Sequence, residues 1–238
     1  MAELAAALRL HDRFRHEVVP VGLERTPVLV IDNLFSEPQA LIDYAASQAK
    51  FAADPKSFYP GPRAPMPSAY GAALRALLAP VIGKAFALAS ADVIHEKCDF
   101  SIVTTPPDRL HVLQRMPHID NTNPRHFALL HYLCGPGYGG TSFYRHRSTG
   151  FETIDATRFP VYRAAVQREL TSRGPPPAGY PNGDSDLFER IASFEGAFNR
   201  LLVYRGRGLH CADIAPGFRG DSDPRTGRLT ANAFFYFR

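Results

Sequence analysis

From Asp99 to the C-terminus the chain is divided into short apolar runs by turn residues. The runs at 100–104, 110–114, 127–133, 141–144, 200–204 and 228–237 have strand length rather than helix length. The last, LTANAFFYF, is apolar almost throughout and reads as a buried strand. Such spacing predicts an antiparallel β unit. Proline supports it: 21 residues of 238 is nearly twice the usual share of about 5%. That density favours loops and works against a helical bundle.

Helical patterns come first and then interrupt this unit once. A β-branched run at 28–31 reads as a strand, and Ser36 with Gln39 three residues on has the form of a capping box. Leu41, Ile42, Ala45 and Ala46 follow at helical spacing. Residues 52–71 are a proline-rich loop, with 59–70 expected to line a cleft. Residues 71–89 read as an Ala/Leu helix broken or kinked near Pro80. Helix returns at 156–171, a loop follows at 173–185, and 188–194 fits helix or strand equally. The expectation is a single α+β domain built on a β-sandwich or barrel with flanking helices. Within it, 1–25 is an N-terminal extension, 26–98 a strand with supporting helices, and 99–238 the β core, with a helical insertion at 155–195.

Charge and cysteine content exclude several classes. The net charge is +4 with a pI near 9.0. It is spread along the chain without the dense basic stripe of a nucleic-acid binder. The three cysteines, Cys98, Cys134 and Cys211, have no CxxC spacing, which argues against a disulfide framework or a cysteine zinc site. No run of 18 apolar residues and no secretory leader is visible, so no membrane partner is expected and the cytoplasm is the default location.

Three features carry chemistry. His118 and Asp120 form an H-x-D pair, whose side chains share a face in an extended segment and so can grip one metal. His210 follows the run RLLVY and completes a 2-His-1-carboxylate set, the usual grip of non-haem Fe(II) oxygenases, open also to zinc or manganese. Arg228 and Thr230 are two apart in the final run and offer a guanidinium fork and a hydroxyl to one carboxylate.

The order H-x-D, His, R-x-T resembles the Fe(II)/2-oxoglutarate dioxygenase superfamily, in particular its prolyl-4-hydroxylase-like branch. VLVIDNLFSEPQALIDYA (28–45) is similar to that branch's opening strand and helix, and HYLCGPGYGGTSFY (131–144) to its Y-L-N…G-G-E-T-x-F segment, with Cys134 where Asn is common. The stretches HID…GGTSFYRHRSTG…FNRLLVYRGRGLHCADI…GRLTANAFFYF resemble an uncharacterised bacterial family of such proteins, over roughly 26–238. The resemblance implies a double-stranded β-helix, or jelly-roll. It implies that His118, Asp120 and His210 hold Fe(II), and that Arg228 and Thr230 hold the distal carboxylate of 2-oxoglutarate. The cosubstrate would chelate iron at its other end, O₂ would bind beside it, and substrate would be oxidised as succinate forms. A carboxylate at position 120 implies hydroxylation rather than halogenation, since halogenases of this superfamily lack it.

Eighteen positions separate His210 from Arg228, more than is common in the superfamily, which makes Arg219 and Arg225 rivals for the anion role. Of the neighbours His131 and Tyr132, alternation turns one inward, and the superfamily's habit favours Tyr132 as a cosubstrate contact. The expected primary substrate is a small or amino-acid-like molecule. An anionic one would be met by the run FYRHRSTG, through Arg145, His146 or Arg147. The alternative is a jelly-roll binding or sensing protein with a weak or vestigial metal site.

Overall fold

A computed structural model describes residues 2–53, 58–214 and 217–238. The elements are α1 (Ala2–Ala7), β1 (Arg15–Val21), β2 (Thr26–Asp32), α2 (Gln39–Ser47), β3 (Arg63–Pro65), α3 (Ser68–Ala85), β4 (Val93–Ile102), β5 (His126–Tyr132), β6 (Gly140–His146), α4 (Phe159–Arg173), β7 (Phe188–Glu195), β8 (Leu201–Arg205), β9 (His210–Asp213) and β10 (Leu229–Phe237). A seven-stranded sheet has the order β1-β2-β8-β5-β10-β4-β3, and a three-stranded sheet the order β7-β6-β9. Every strand pairing is antiparallel, so the chain is an α+β fold of mainly antiparallel sheet. No described helix is long and apolar enough to cross a membrane.

The alternation of β5 and β10 places the site. Phe127, Leu129, Ala231, Ala233, Phe235 and Phe237 point to one face and pack with Leu41 of α2 and Leu74, Leu78 and Ile82 of α3. This is the main core. Residues between them, Ala128, Leu130, Thr230, Asn232 and Phe234, face the opposite way and line a cavity of about 670 Å³. The small sheet covers that face: Phe143 of β6 sits edge-on to Tyr204 of β8, with ring centroids 5.1 Å apart. The final run is thus buried on both faces, which is why it reads as almost continuously apolar.

Several sequence expectations need correction. Ser36 does not cap α2: Pro38 precedes the helix, and Ser36 Oγ donates to Ala7 O instead. α3 is not broken at Pro80. Pro80 and Ala76, whose carbonyl loses its donor, both lie on the exposed side, where that group is open to solvent. The run 110–114 is no strand; tight 3-10 turns occupy Pro107–Arg109 and Val112–Arg115, the second closed by a capping box from His111. Residues 188–194, which fit helix or strand equally in sequence, are strand β7, and the N-terminal extension 1–25 carries α1 and β1, the latter pairing with β2 along its whole length.

Candidate metal centre

The backbone brings the two histidines together. His118 N donates to His210 O and His210 N to His118 O, both at 2.9 Å, a one-residue antiparallel bridge at the start of β9. Two residues on, Asp120 N donates to Gly206 O at 2.7 Å. Extended chain from 118 to 120 then turns both side chains to the cavity. Ring centroids of His118 and His210 are 4.5 Å apart. Asp120 Oδ1 lies 3.7 Å from His118 Nε2, and Asp120 Oδ2 lies 3.6 Å from His210 Nε2. One ligand atom from each residue falls within 4.8 Å of the others. These separations are too long for hydrogen bonds and match donors spread around one ion.

Each donor is held in a form suited to a cation. His210 Nδ1 donates to Gly208 O at 2.8 Å, which leaves Nε2 as a lone-pair donor. Burial first pushes His210 down to about 4, against the bond to Gly208. Burial, then the nearby His210, likewise pushes His118 down to about 4, opposed by Asp120. His118 has a half-open ring, 52% accessible, and it lines the cavity. Asp120 is raised above the ordinary carboxylate value by burial, opposed by His118, His126 and Arg63. Its Oδ2 is buried with no hydrogen-bond partner among the described residues. Two neutral imidazoles and an orphaned carboxylate oxygen fit a divalent cation.

Gly206 makes the approach possible. A Cβ there would lie 2.3 Å from His126 Nδ1 and 3.1 Å from Asp120 Cβ. The glycines of RGRGLH are the sequence signal for that close contact, and they carried no role in the motif reading.

Arg228 lies at another part of the same cavity, only 2% exposed. Its Nε donates to Tyr138 O at 2.9 Å and Nη2 to Gly140 O at 3.0 Å, and Nη1 makes no hydrogen bond among the described residues. The GG of GGTSF lets β6 pack closely between its neighbours: a Cβ on Gly139 would come within 1.8 Å of Asp213 O, and one on Gly140 within 1.9 Å of Phe194 O. Thr230 shares the cavity face. Tyr59 completes the group: burial raises its hydroxyl, opposed by the Arg228 charge and the nearby Thr230 hydroxyl. The proline-rich loop was expected to line a cleft, and Tyr59, Pro60 and Arg63 do so; nothing in the sequence tied Tyr59 to Arg228.

Other candidates lie elsewhere. Tyr132 lies beside Arg228, whose guanidinium carbon is 5.9 Å from its ring centroid; it does not itself line the cavity, and its hydroxyl bonds, at 2.7 Å, Oγ1 of Thr141, which does. His131 points into the helical core, between Tyr70 and Asn199. Arg219 and Arg225 are exposed, and no described residue of the loop 214–227 lines the cavity. Arg145 is paired with Glu152 and Glu189, His146 with Glu169, and Arg147 with Asp184, and none of the three lines the cavity. FYRHRSTG is therefore not a substrate contact: its charges are spent within the fold.

A family described as a family of unknown function (DUF6445) matches residues 12–235. The chain belongs to that family. No curated protein matches this DUF6445 chain. Among solved structures it is similar to HygX from Streptomyces hygroscopicus with nickel and 2-oxoglutarate bound, at 13% identity and TM-score 0.45, covering 90% of this chain and 84% of that one. An N-substituted L-amino acid dioxygenase from Burkholderia ambifaria matches at 10% and 0.46, over 94% and 95% of the two chains. SnoN, a non-haem α-ketoglutarate-dependent epimerase from nogalamycin biosynthesis, matches at 11% and 0.44, over 98% and 81%.

Proposed function

We propose that this protein is a non-haem Fe(II)- and 2-oxoglutarate-dependent oxygenase, of hydroxylase type, on a double-stranded β-helix core. The observation that carries the proposal is the convergence of His118, Asp120 and His210, with Asp120 Oδ2 unpartnered, in a cavity that also holds Arg228. His118, Asp120 and His210 would hold the metal. Bound with 2-oxoglutarate, that metal supplies O₂-dependent oxidation of a C–H bond.

The chain's own residues do the rest. Gly208 O keeps the proton of His210 on Nδ1 and away from the metal-facing nitrogen. Asp120 brings the negative charge that balances a dication in an enclosed site. Arg228, fixed by two carbonyls, directs its remaining N–H groups at the distal carboxylate of 2-oxoglutarate, and Thr230 and Tyr59 add hydroxyls beside it. Tyr132 braces Thr141 at the same end. The apolar walls, Ala128, Leu130 and Phe234, keep water from the reacting centre.

The test is anaerobic titration with Fe(II) and 2-oxoglutarate, read by the visible charge-transfer band of the chelate, followed by O₂ and measurement of succinate. The wild type should give the band and release succinate, and His210→Ala should give neither. Metal uptake with no band and no succinate would instead support a binding protein or a zinc- or manganese-dependent enzyme.

A further inference from the structure

The cavity has a second wall that the metal and the cosubstrate leave free. α4 lies along it, with positions 159, 162, 163, 166, 167 and 170 all lining the cavity. At about 1.5 Å of rise per residue, this face is about 16 Å long. It is apolar at Phe159, Tyr162, Val166 and Leu170, and Phe58 and Leu113 contribute from other segments. Phe58, Leu113 and Phe159 remain 60%, 45% and 39% exposed. Large apolar side chains left open around a cavity mark a surface that a ligand covers.

One cation interrupts that face. Arg163 makes no ion pair or hydrogen bond among the described residues. The other cavity arginines are occupied: Arg63 faces Asp99 at 3.0 Å, and Arg228 is bound to two carbonyls. The carboxylates on and near α4 are also engaged. Glu169 holds His146, Glu24 holds Arg158, and Asp155 accepts the backbone N–H groups of Thr157 and Arg158. Gln167, one turn beyond Arg163, has a side-chain amide with no partner among the described residues. One guanidinium and one amide suit a single negative charge rather than a doubly charged phosphate.

We propose that the primary substrate is an apolar molecule bearing one carboxylate, its body laid along α4 and its carboxylate received by Arg163 and Gln167. This rests on the oxygenase reading, which assigns the Arg228 end to 2-oxoglutarate. On this reading an anionic substrate would be received by Arg163 and Gln167 rather than by the charges of FYRHRSTG.

The probes are 1-naphthylacetate and its neutral isostere 1-naphthylacetamide, titrated calorimetrically without O₂ into protein loaded with Mn(II) and 2-oxoglutarate. The acid should bind about five- to tenfold tighter than the amide, the worth of one partly desolvated charge contact. Arg163→Gln, a change at an exposed position, should abolish that difference and leave the affinities for Mn(II) and 2-oxoglutarate unchanged. Leu170→Asp should weaken both probes. Equal binding of acid and amide, no saturable binding of either, or a difference that survives Arg163→Gln would overturn this inference alone. Failure of the wild type to take up Mn(II) and 2-oxoglutarate would overturn the oxygenase reading itself.

Discussion

Arg228→Ala should do two separable things. The guanidinium bonds two carbonyls, Tyr138 O and Gly140 O, from a position only 2% exposed. Its removal orphans the buried ends of those bonds, at about 1–3 kcal/mol for each unsatisfied group. A net loss of about 2–4 kcal/mol lowers Tm by about 4–16 °C in a domain of this size. The second effect falls on cosubstrate: a charge-assisted pair lost from an enclosed site costs about 2–3 kcal/mol, or roughly 30–150-fold in affinity. Arg228→Lys separates the two, because an ammonium keeps the charge but cannot span both carbonyls and a carboxylate in one plane. Calorimetry of 2-oxoglutarate binding to Mn(II)-loaded protein and a thermal melt measure them independently. The expected order is wild type, Lys, Ala in both. An Arg228→Ala protein that melts low yet binds 2-oxoglutarate within about twofold of wild type would refute the cosubstrate role and leave Arg228 a purely structural residue.

Asp120→Asn should raise the Tm of metal-free protein at pH 7 while abolishing metal binding. A folded-state value raised by burial means the native state holds its proton more tightly, so the carboxylate destabilises the apo fold once pH exceeds both values; a melt in chelator checks this. His131 is pushed down to about 4 by burial, so stability should fall as pH drops from about 6.5 to about 4, by at most about 3 kcal/mol. His118 and His210 add the same sign over the same window, so His131→Gln should reduce that slope by its own share in urea titrations. Glu152→Ala should cost about 2–4 kcal/mol, because Glu152 is buried and accepts from Leu23 N, Glu24 N and Arg145, yet 2-oxoglutarate affinity should not change. Gly206→Ala should weaken metal binding more than fold stability, since its Cβ meets His126 and Asp120 directly.

The local parts of this site were legible and the long-range parts were not. H-x-D signals a shared face because strand period is a local rule, and the ligand atoms of His118 and Asp120 do converge. Arg228 and Thr230 fall on one face for the same reason. Tyr59 could not be tied to Arg228, because a loop residue far upstream meets β10 only through tertiary packing. Residues 110–114 carry a strand-like apolar pattern, but Pro106 and Pro107 and the His111 cap favour tight turns. β1 was hidden because it is a mostly exposed edge strand with a proline, so no buried face patterns its sequence. FYRHRSTG misled because composition shows charge and conceals its partners: Glu152, Glu169, Glu189 and Asp184 come from four separate places along the chain.

The main-chain bridge between His118 and His210 also bears on folding. The two residues are far apart in sequence and meet only when β9 has docked, so the unfolded chain offers the local His118–Asp120 pair but never the three-donor site. Closing so long a loop is slow and comes late. A metal therefore cannot template the early steps of folding; it binds a finished product. Its effect on stability should follow simple mass action, growing with the logarithm of free metal, with folding rates unchanged and unfolding rates reduced. The melting point becomes a gauge of metal occupancy, readable without any knowledge of the substrate.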